Sequence, residues 1–418
     1  MNRPPDWYSR GLPHIWLPYN QMKTTAPPLA VARTDGTRIV LADGRELVDG
    51  VASWWTACHG YNHPHIVAAI QAQAARMPHV MLGGLVHEQV LNLARRLCAL
   101  APAPLTRVFF SDSGSVAVEV AMKMAVQYWL NRGIRGRTKF LCFRGGYHGD
   151  TFATMAVCDP EEGMHNLFTG ILPEHYVIDL PSAGDDAFER FVEQHADELA
   201  GILVEPLVQG AGGMKFHGPD TLRRLRAAAD KRDLLLIFDE IFTGFARTGT
   251  MFACEVAGVV PDIMTVGKAL TGGTIPLAAT IASQKVFDAF WSDDPAHALM
   301  HGPTYMGNAL ACAAANATLD LFESEDRLGA VRAIEDALRR GLEGCRGLSG
   351  VAHVRVRGAI GVVQLHAISN LGALKSRFAD AGVWVRPFRD IVYLTPALTI
   401  GEADLAKLTS TIGAVLGQ

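Results

Sequence analysis

Asp239, Glu240 and Lys268 each follow a short apolar run. Residues 234–238, LLLIF, have strand length and lead straight into the two acids. Residues 263–266, IMTV, lead into Gly267 and Lys268. In an α/β protein, sites gather at the carboxyl ends of parallel strands. A lysine amine placed there can form a Schiff base with an aldehyde, and a carboxylate can hold a pyridine nitrogen protonated, which makes the ring an electron sink. The pair therefore suits pyridoxal 5'-phosphate. Taken alone, an Asp-Glu or a Gly-Lys pair reads more simply as a helix cap and a solvated lysine. The two apolar runs and the glycine-rich GFARTG and LTGGT segments argue for the chemistry. Side-chain alternation sends neighbouring strand residues to opposite faces, so one of the two acids reaches the ring, and the sequence alone leaves open which.

A phosphate-bearing cofactor also needs a cup. Residues 107–110 read as a strand, followed by Ser111-Asp112-Ser113-Gly114-Ser115 and a long helical pattern. The free amides of a helix start bind phosphate, Gly114 lets the backbone approach, and Ser115 adds a hydroxyl. The same residues would also serve as an ordinary helix cap. Residues 139–143 form another strand-like run ending in RGGYHG, where the Tyr147 ring can stack on a flat heterocycle. His148 reads as a hydrogen-bonded neighbour. Pro303-Thr304 precede a Gly-Asn turn and an Ala-rich helix, which makes Thr304 a second phosphate contact or a plain helix-starting turn. Arg386 and Arg389, in WVRPFRD, compete for the role of a carboxylate clamp.

These residues must be carried by several elements. The chain has 418 residues, 49% hydrophobic and 19% charged, which predicts two or three well-buried domains. A formal charge of -4 gives no hint of nucleic-acid binding. No apolar run is long enough for a membrane helix, and MNRPPDWYSRG lacks the apolar core of a secretion signal. Seven scattered cysteines without a CxxC pair point to free thiols and give no metal framework, so a cytoplasmic enzyme is expected. Residues 1–29 show little periodicity, but Trp7, Tyr8, Trp16 and Tyr19 predict an arm that packs on something. Residues 30–52 predict a small antiparallel sheet with Asp35-Gly36 and Asp43-Gly44 turns. Helices are expected over 63–99, 185–199 and 219–232, strands at 201–204 and 277–283, and a loop over 158–175. After 325 the pattern predicts strands at 351–356, 360–365, 384–385 and 392–395, with helices over 371–381 and 403–416.

The acid pair, the GF-x-RTG segment and the lysine before a glycine-rich turn resemble the class III, or omega, aminotransferases of pyridoxal phosphate fold type I, over nearly the whole chain. Where that family most often has a second glycine, this chain has Ala246. The resemblance implies an α/β large domain with a mostly parallel central sheet flanked by helices, at 61–324. It adds a smaller α+β domain at 325–418, joined by the arm and small sheet of 1–60. It selects Asp239 over Glu240 and assigns Lys268, Asp239 and Tyr147 to catalysis. Gly114, Ser115, Tyr147, Asp239, Lys268, Pro303 and Thr304 would bind the cofactor, the last two reaching the site of the other subunit in a homodimer. Glu205 would lie close to the site.

The segments WLPYNQM, SWW-x-x-x-HGY and HGPTYMGN resemble the biotin-synthesis branch of the family. That branch implies S-adenosyl-L-methionine as donor and 8-amino-7-oxononanoate as acceptor. Tyr19, Trp54, Tyr147, Lys268, Gly302, Arg386 and Tyr393 would then line the substrate site, with Trp55 as a structural neighbour. The alternatives are an omega-aminotransferase using lysine, a diamine, a β-amino acid or 4-aminobutyrate, and a non-catalytic binding protein on the same fold.

Overall fold

The strand Leu235–Asp239 is buried along its whole length, as a parallel strand covered on both faces must be. It pairs in parallel with Ile263–Val266 on one side and Leu199–Val204 on the other. The computed structural model describes residues 4–161, 166–168 and 170–418. Contacts divide the chain into two units, Met1–Pro64 with Gly329–Gln418, and His65–Leu328.

In His65–Leu328 the seven-stranded sheet runs in the order Leu105–Ser111, Ala278–Ser283, Ile263–Val266, Leu235–Asp239, Leu199–Val204, Lys139–Phe143 and Tyr176–Ile178. Ala278–Ser283 is antiparallel to both neighbours, and the remaining pairs are parallel. The fold is thus α/β with a mostly parallel sheet. At Gly201 an added Cβ would meet the Leu235 carbonyl at 2.7 Å, so the close approach of these strands requires glycine. The expected helix over 185–199 is shorter, Ala187–His195, because Leu199 and Ala200 are taken by the strand Leu199–Val204. Within the expected loop 158–175, residues 162–165 and 169 lie outside the described residues, and Asn166–Phe168 form one short turn of helix.

The helix Gly114–Asn131 packs beneath the sheet, with Ala117, Val118, Ala121, Ala125 and Trp129 fully buried. It starts directly after Leu105–Ser111, where Ser113 caps it by accepting from the Val116 amide at 3.3 Å. Trp129 anchors its far end, donating from Nε1 to the Ala200 carbonyl at 2.8 Å. The helix N-terminus is thereby held at the edge where the strands deliver their last residues.

In the other unit, Val31–Asp35, Arg38–Leu41 and Glu46–Asp49 form the expected antiparallel ribbon. Val383–Trp384 joins it in parallel, one residue earlier than the apolar pattern placed it. Val351–Arg357, Ile360–Leu365 and Ile391–Leu394 make a second antiparallel sheet, and the unit includes the helices Leu371–Asp380 and Glu402–Leu416. The arm contains a helix, Asp6–Gly11, too short to show periodicity. The expected packing of the arm is met in part: the Tyr19 ring meets Trp54 and the Tyr8 hydroxyl donates to the Pro28 carbonyl, whereas Trp7 and Trp16 stay 57% and 87% exposed.

One local conformation is unusual. Ala52, Ser53, Trp54 and Trp55 have φ of 45°, 48°, 56° and 75°, and Trp55 and Thr56 donate their amides to Val51 and Ala52 carbonyls at 2.9 and 2.8 Å. This is one turn of left-handed helix built without glycine. Each such residue costs roughly 1–2 kcal/mol relative to the right-handed form.

Trp129→Ala removes a fully buried indole and its bond to the sheet, a loss of roughly 3–5 kcal/mol. The thermal midpoint of the cofactor-free protein should fall by roughly 5 °C. A midpoint within about a degree of wild type would show that this helix is not anchored through Trp129.

Candidate active site

Parallel pairing sets the register. Asp239 faces Thr265 across the two strands, and Lys268 follows three residues later, at the same end of the sheet. Asp239 is 4% exposed. Its Oδ1 accepts from the Ile241 amide at 3.1 Å and Thr265 Oγ1 at 3.2 Å, and its Oδ2 accepts from His148 Nδ1 at 2.8 Å. Glu240 turns the other way. Its carboxylate accepts from Thr243 Oγ1 and the Ala253 and Cys254 amides at 2.6, 3.0 and 2.9 Å. Burial pushes its carboxyl up to about 7. Glu240 therefore ties Thr243 to Ala253 and Cys254, on either side of the GFARTG segment, while Asp239 faces the imidazole.

Lys268 is half-buried and stands at φ 44°, a strained left-handed position. Burial lowers the pKa of its amine, and the charges of Asp239, Glu205 and Asp150 act against that fall. Glu205, fully enclosed, accepts from the Tyr147 amide at 3.0 Å and the Gly210 amide at 2.9 Å. Burial raises its carboxyl to about 7, with His148 opposing and Asp239 adding to the rise. It thus ties the RGGYHG turn to the glycine-rich segment 208–214.

Tyr147 donates its hydroxyl to Asp150 at 2.7 Å. The Asp150 amide donates to Ser115 Oγ at 3.2 Å. Gly149, at φ 126°, lies so close that an added Cβ would sit on the Ser115 hydroxyl. The helix start at Gly114 and Ser115 and the turn carrying Tyr147 and His148 are thereby brought together. Lys268, Asp239, His148, Glu205, Tyr147 and Ser115 are linked in this way by contacts or by charge.

This donor set fits pyridoxal phosphate. Asp239 is a buried acid for a ring nitrogen, Lys268 offers an amine of lowered pKa for an aldehyde, and the first amides of an 18-residue helix suit a phosphate. Gly302, Pro303 and Thr304 stand apart from these bonds. Gly302 and Thr304 are exposed, and the Thr304 carbonyl accepts from His79 Nε2 at 3.0 Å. Arg247 is buried.

A second group lies in the unit Met1–Pro64 with Gly329–Gln418. The Arg386 guanidinium sits over the Trp54 ring, 4.4 Å from its centroid, and the Tyr19 ring meets Trp54 edge-on at 6.1 Å. Tyr393 is fully buried, its ring 6.2 Å from that of Trp55. Burial lowers the Arg386 pKa. Arg389 is exposed, so of the two arginines only Arg386 combines an aromatic platform with partial burial.

Sequence reasoning missed Asp150 as the partner of Tyr147, and it read His148 as a hydrogen-bonded neighbour without naming Asp239 as its partner. The signal for Asp150 was an acid three residues after the aromatic, on the same turn. It also missed Asp49 and Tyr61, which are joined at 2.6 Å beneath the Trp54 turn. The acid that ends a strand just before a glycine was the available clue.

The class-III aminotransferase family pattern matches residues 19–416. The chain is 46% identical over 415 residues to the adenosylmethionine-8-amino-7-oxononanoate aminotransferase of Mycobacterium leprae, covering 97% of this chain and 95% of that one. It superposes on the crystal structure of the enzyme of that name from Methanocaldococcus jannaschii with a TM-score of 0.93, at 31% identity, covering 98% of each chain. A PLP-bound amine transaminase from an uncultivated Pseudomonas species gives a TM-score of 0.88 at 34% identity, covering 96% of this chain and 98% of that one. With Asp239, Lys268 and the helix start at Gly114 at one end of the sheet and the family pattern spanning nearly every residue, this chain belongs to the class-III aminotransferases.

Proposed function

We propose that this protein transfers the amino group of S-adenosyl-L-methionine to 8-amino-7-oxononanoate, giving 7,8-diaminononanoate for biotin, with pyridoxal 5'-phosphate as cofactor. The observation that carries the chemistry is the placement of Lys268 and Asp239 at one end of two paired strands. The choice of substrates is supported by the relatives that share this chain's length and bear that name. When bound, the cofactor supplies an aldehyde and a protonated ring that draws electrons from the amino carbon.

The side chains divide the remaining work. Lys268 Nζ would hold the aldehyde, and as a free amine it would take and return the proton of the substrate's amino carbon. Its lowered pKa keeps more of the amine neutral for both tasks. Asp239 would hold the ring nitrogen protonated, and His148 fixes that carboxylate through its bond to Oδ2. The amides at Gly114 and Ser115 would bind phosphate, and Tyr147 would offer its ring to the heterocycle. Arg386 clamps the carboxylate at the far end of the acceptor, with Tyr19, Trp54, Tyr393 and Gly302 along the pocket. Residues 61–324 serve as the cofactor domain, and residues 1–60 with 325–418 as the smaller substrate-side domain. The protein works as a homodimer in the cytoplasm, Pro303 and Thr304 reaching the partner's phosphate. The exposed Trp7, Trp16 and Thr304 support that assembly. No helix of the described residues is long and apolar enough to cross a membrane.

Lys268→Ala should fold and bind pyridoxal phosphate without covalent attachment, with turnover reduced on the order of a thousandfold or more. Borohydride trapping followed by peptide mass spectrometry reads the attachment directly. A labelled lysine other than Lys268 would end the assignment.

Arg386→Ala separates the two substrates. The acceptor's carboxylate lies far from its ketone, whereas the donor's carboxylate is beside its amine. Truncation should cost the acceptor half-reaction roughly 2–5 kcal/mol, about thirtyfold to several thousandfold, and the donor half-reaction less. Stopped-flow absorbance of the two half-reactions measures this. Equal losses would mean a structural or shared role, and no loss would move the clamp to Arg389.

Subunit sharing is tested by mixing Lys268→Ala with Thr304→Trp. In a mixed dimer one site collects both lesions and the other neither, so activity should reappear after subunit exchange. Verified mixed dimers that stay inactive would refute the shared site.

A further inference from the structure

The left-handed turn at residues 52–55 needs a cause. L-residues avoid this conformation, and glycine, which adopts it freely, is absent from all four positions. Its sequence, ASWW, offers no local preference that would wind it this way. The support comes from below. Asp49 ends the strand Glu46–Asp49, 2% exposed, with its own amide donating to the Thr37 carbonyl at 2.8 Å. Its Oδ1 accepts from the Val51 amide at 2.8 Å. Its Oδ2 accepts from the Ser53 amide at 3.1 Å and from the Tyr61 hydroxyl at 2.6 Å. The Tyr61 proton is thereby committed, so Ser53 Oγ, 2.5 Å away, is the donor in the Ser53–Tyr61 bond. Thr56 Oγ1 closes the far end by donating to the Ser53 carbonyl at 2.9 Å. One buried carboxylate therefore binds the amides that enter the turn and, through Tyr61, the Ser53 side chain.

We propose that Asp49, acting with Tyr61, is a positioning residue for acceptor binding: it holds residues 52–55 left-handed so that Trp54 is presented to Arg386 and Tyr19. The inference rests on the reading that Trp54 and Arg386 line the acceptor pocket. Asp49 is enclosed and touches no substrate. Its effect passes through the backbone. Left-handed winding reverses the sense in which successive side chains leave the axis. A right-handed turn between the same ends would swing the Trp54 ring away from the guanidinium now 4.4 Å from it. It would also withdraw Trp55 from the buried Tyr393, 6.2 Å off. Strain of this kind persists only where the surroundings over-determine it, and it collects at ligand-binding positions. Asp49, Tyr61, Ser53 and Thr56 supply that determination here.

The test uses the cofactor-loaded enzyme and two independent readouts. In Asp49→Ala the near-ultraviolet circular dichroism of the Trp54–Trp55 pair should change. KM for 8-amino-7-oxononanoate should rise about tenfold, the scale of one misplaced aromatic contact. The affinity for pyridoxal phosphate, bound in the other unit, should stay at the wild-type value. Tyr61→Phe, which removes one hydroxyl, should move both readouts in the same direction by less, and it keeps the test available where Asp49→Ala does not fold. Adding Ala52→Gly and Ser53→Gly to Asp49→Ala should restore both readouts toward wild type, because glycine takes the left-handed turn without support. A merely structural role would not be rescued by added glycines. Unchanged dichroism and KM in both Asp49→Ala and Tyr61→Phe overturn the proposal, as does a failure of the glycines to rescue. A wild-type enzyme that ignores 8-amino-7-oxononanoate is the distinct failure of the substrate reading. KM is then taken for the carbonyl acceptor the wild type uses, with the same expected rise.

Discussion

Desolvation of charge at the carboxyl end of an apolar sheet is the constraint on which the site depends. The strands Leu199–Val204, Leu235–Asp239 and Ile263–Val266 are buried throughout. Their ends deliver Glu205, Asp239 and Lys268 into surroundings where an unpaired charge is costly. Asp239 meets that cost through His148, Thr265 and a backbone amide, and Glu205 through two backbone amides. Lys268 meets it by a lowered pKa. The same terms that threaten stability lower the pKa of the amine, fix the acid, and place a carboxyl raised to about 7 within their field. Structure and chemistry thus follow from one electrostatic balance.

A second economy lies in the backbone. Lys268 and the four residues 52–55 hold positive φ without glycine. Both places present a side chain to a ligand in the functional reading, and both are braced by rigid neighbours. Lys268 follows directly from a buried parallel strand. The 52–55 turn hangs from a carboxylate locked into a sheet. Where the chain needs flexible backbone instead, at Gly149 against Ser115, it uses glycine. The division is physical: glycine serves where backbone or side chain approaches too closely for a Cβ, and bracing serves where a particular side chain must be aimed.

Much of this was legible in the sequence. The apolar runs before Asp239 and Lys268 gave both strands to within a residue, because buried parallel strands are written as continuous apolar stretches. The SDSGS turn marked the helix start at Gly114 because small residues and a cap have a local signature. Alternation said that Asp239 and Glu240 must diverge, and they do, one toward His148 and the other toward Thr243. What the sequence could not show were relations set by tertiary pairing. The 185–199 helix was over-extended because helical spacing carries no record of the strand partners that take Leu199 and Ala200. The bond between His148 and Asp239 spans 91 residues and leaves no periodic trace. The handedness of the Trp54 turn is set by Asp49 and Tyr61, neither of which looks like a turn signal.

The central claim is that nitrogen passes from S-adenosyl-L-methionine to 8-amino-7-oxononanoate through this one chain. The most direct measurement uses purified, pyridoxal phosphate-loaded protein and S-adenosyl-L-methionine isotopically labelled on its amino nitrogen. Donor is added first and removed by gel filtration, then the unlabelled keto acid is supplied, and the products are read by mass spectrometry. One labelled nitrogen is expected in each 7,8-diaminononanoate formed, in an amount approaching one product per cofactor. Labelled product from lysine but none from S-adenosyl-L-methionine, or no diamine from any donor, would contradict the central claim.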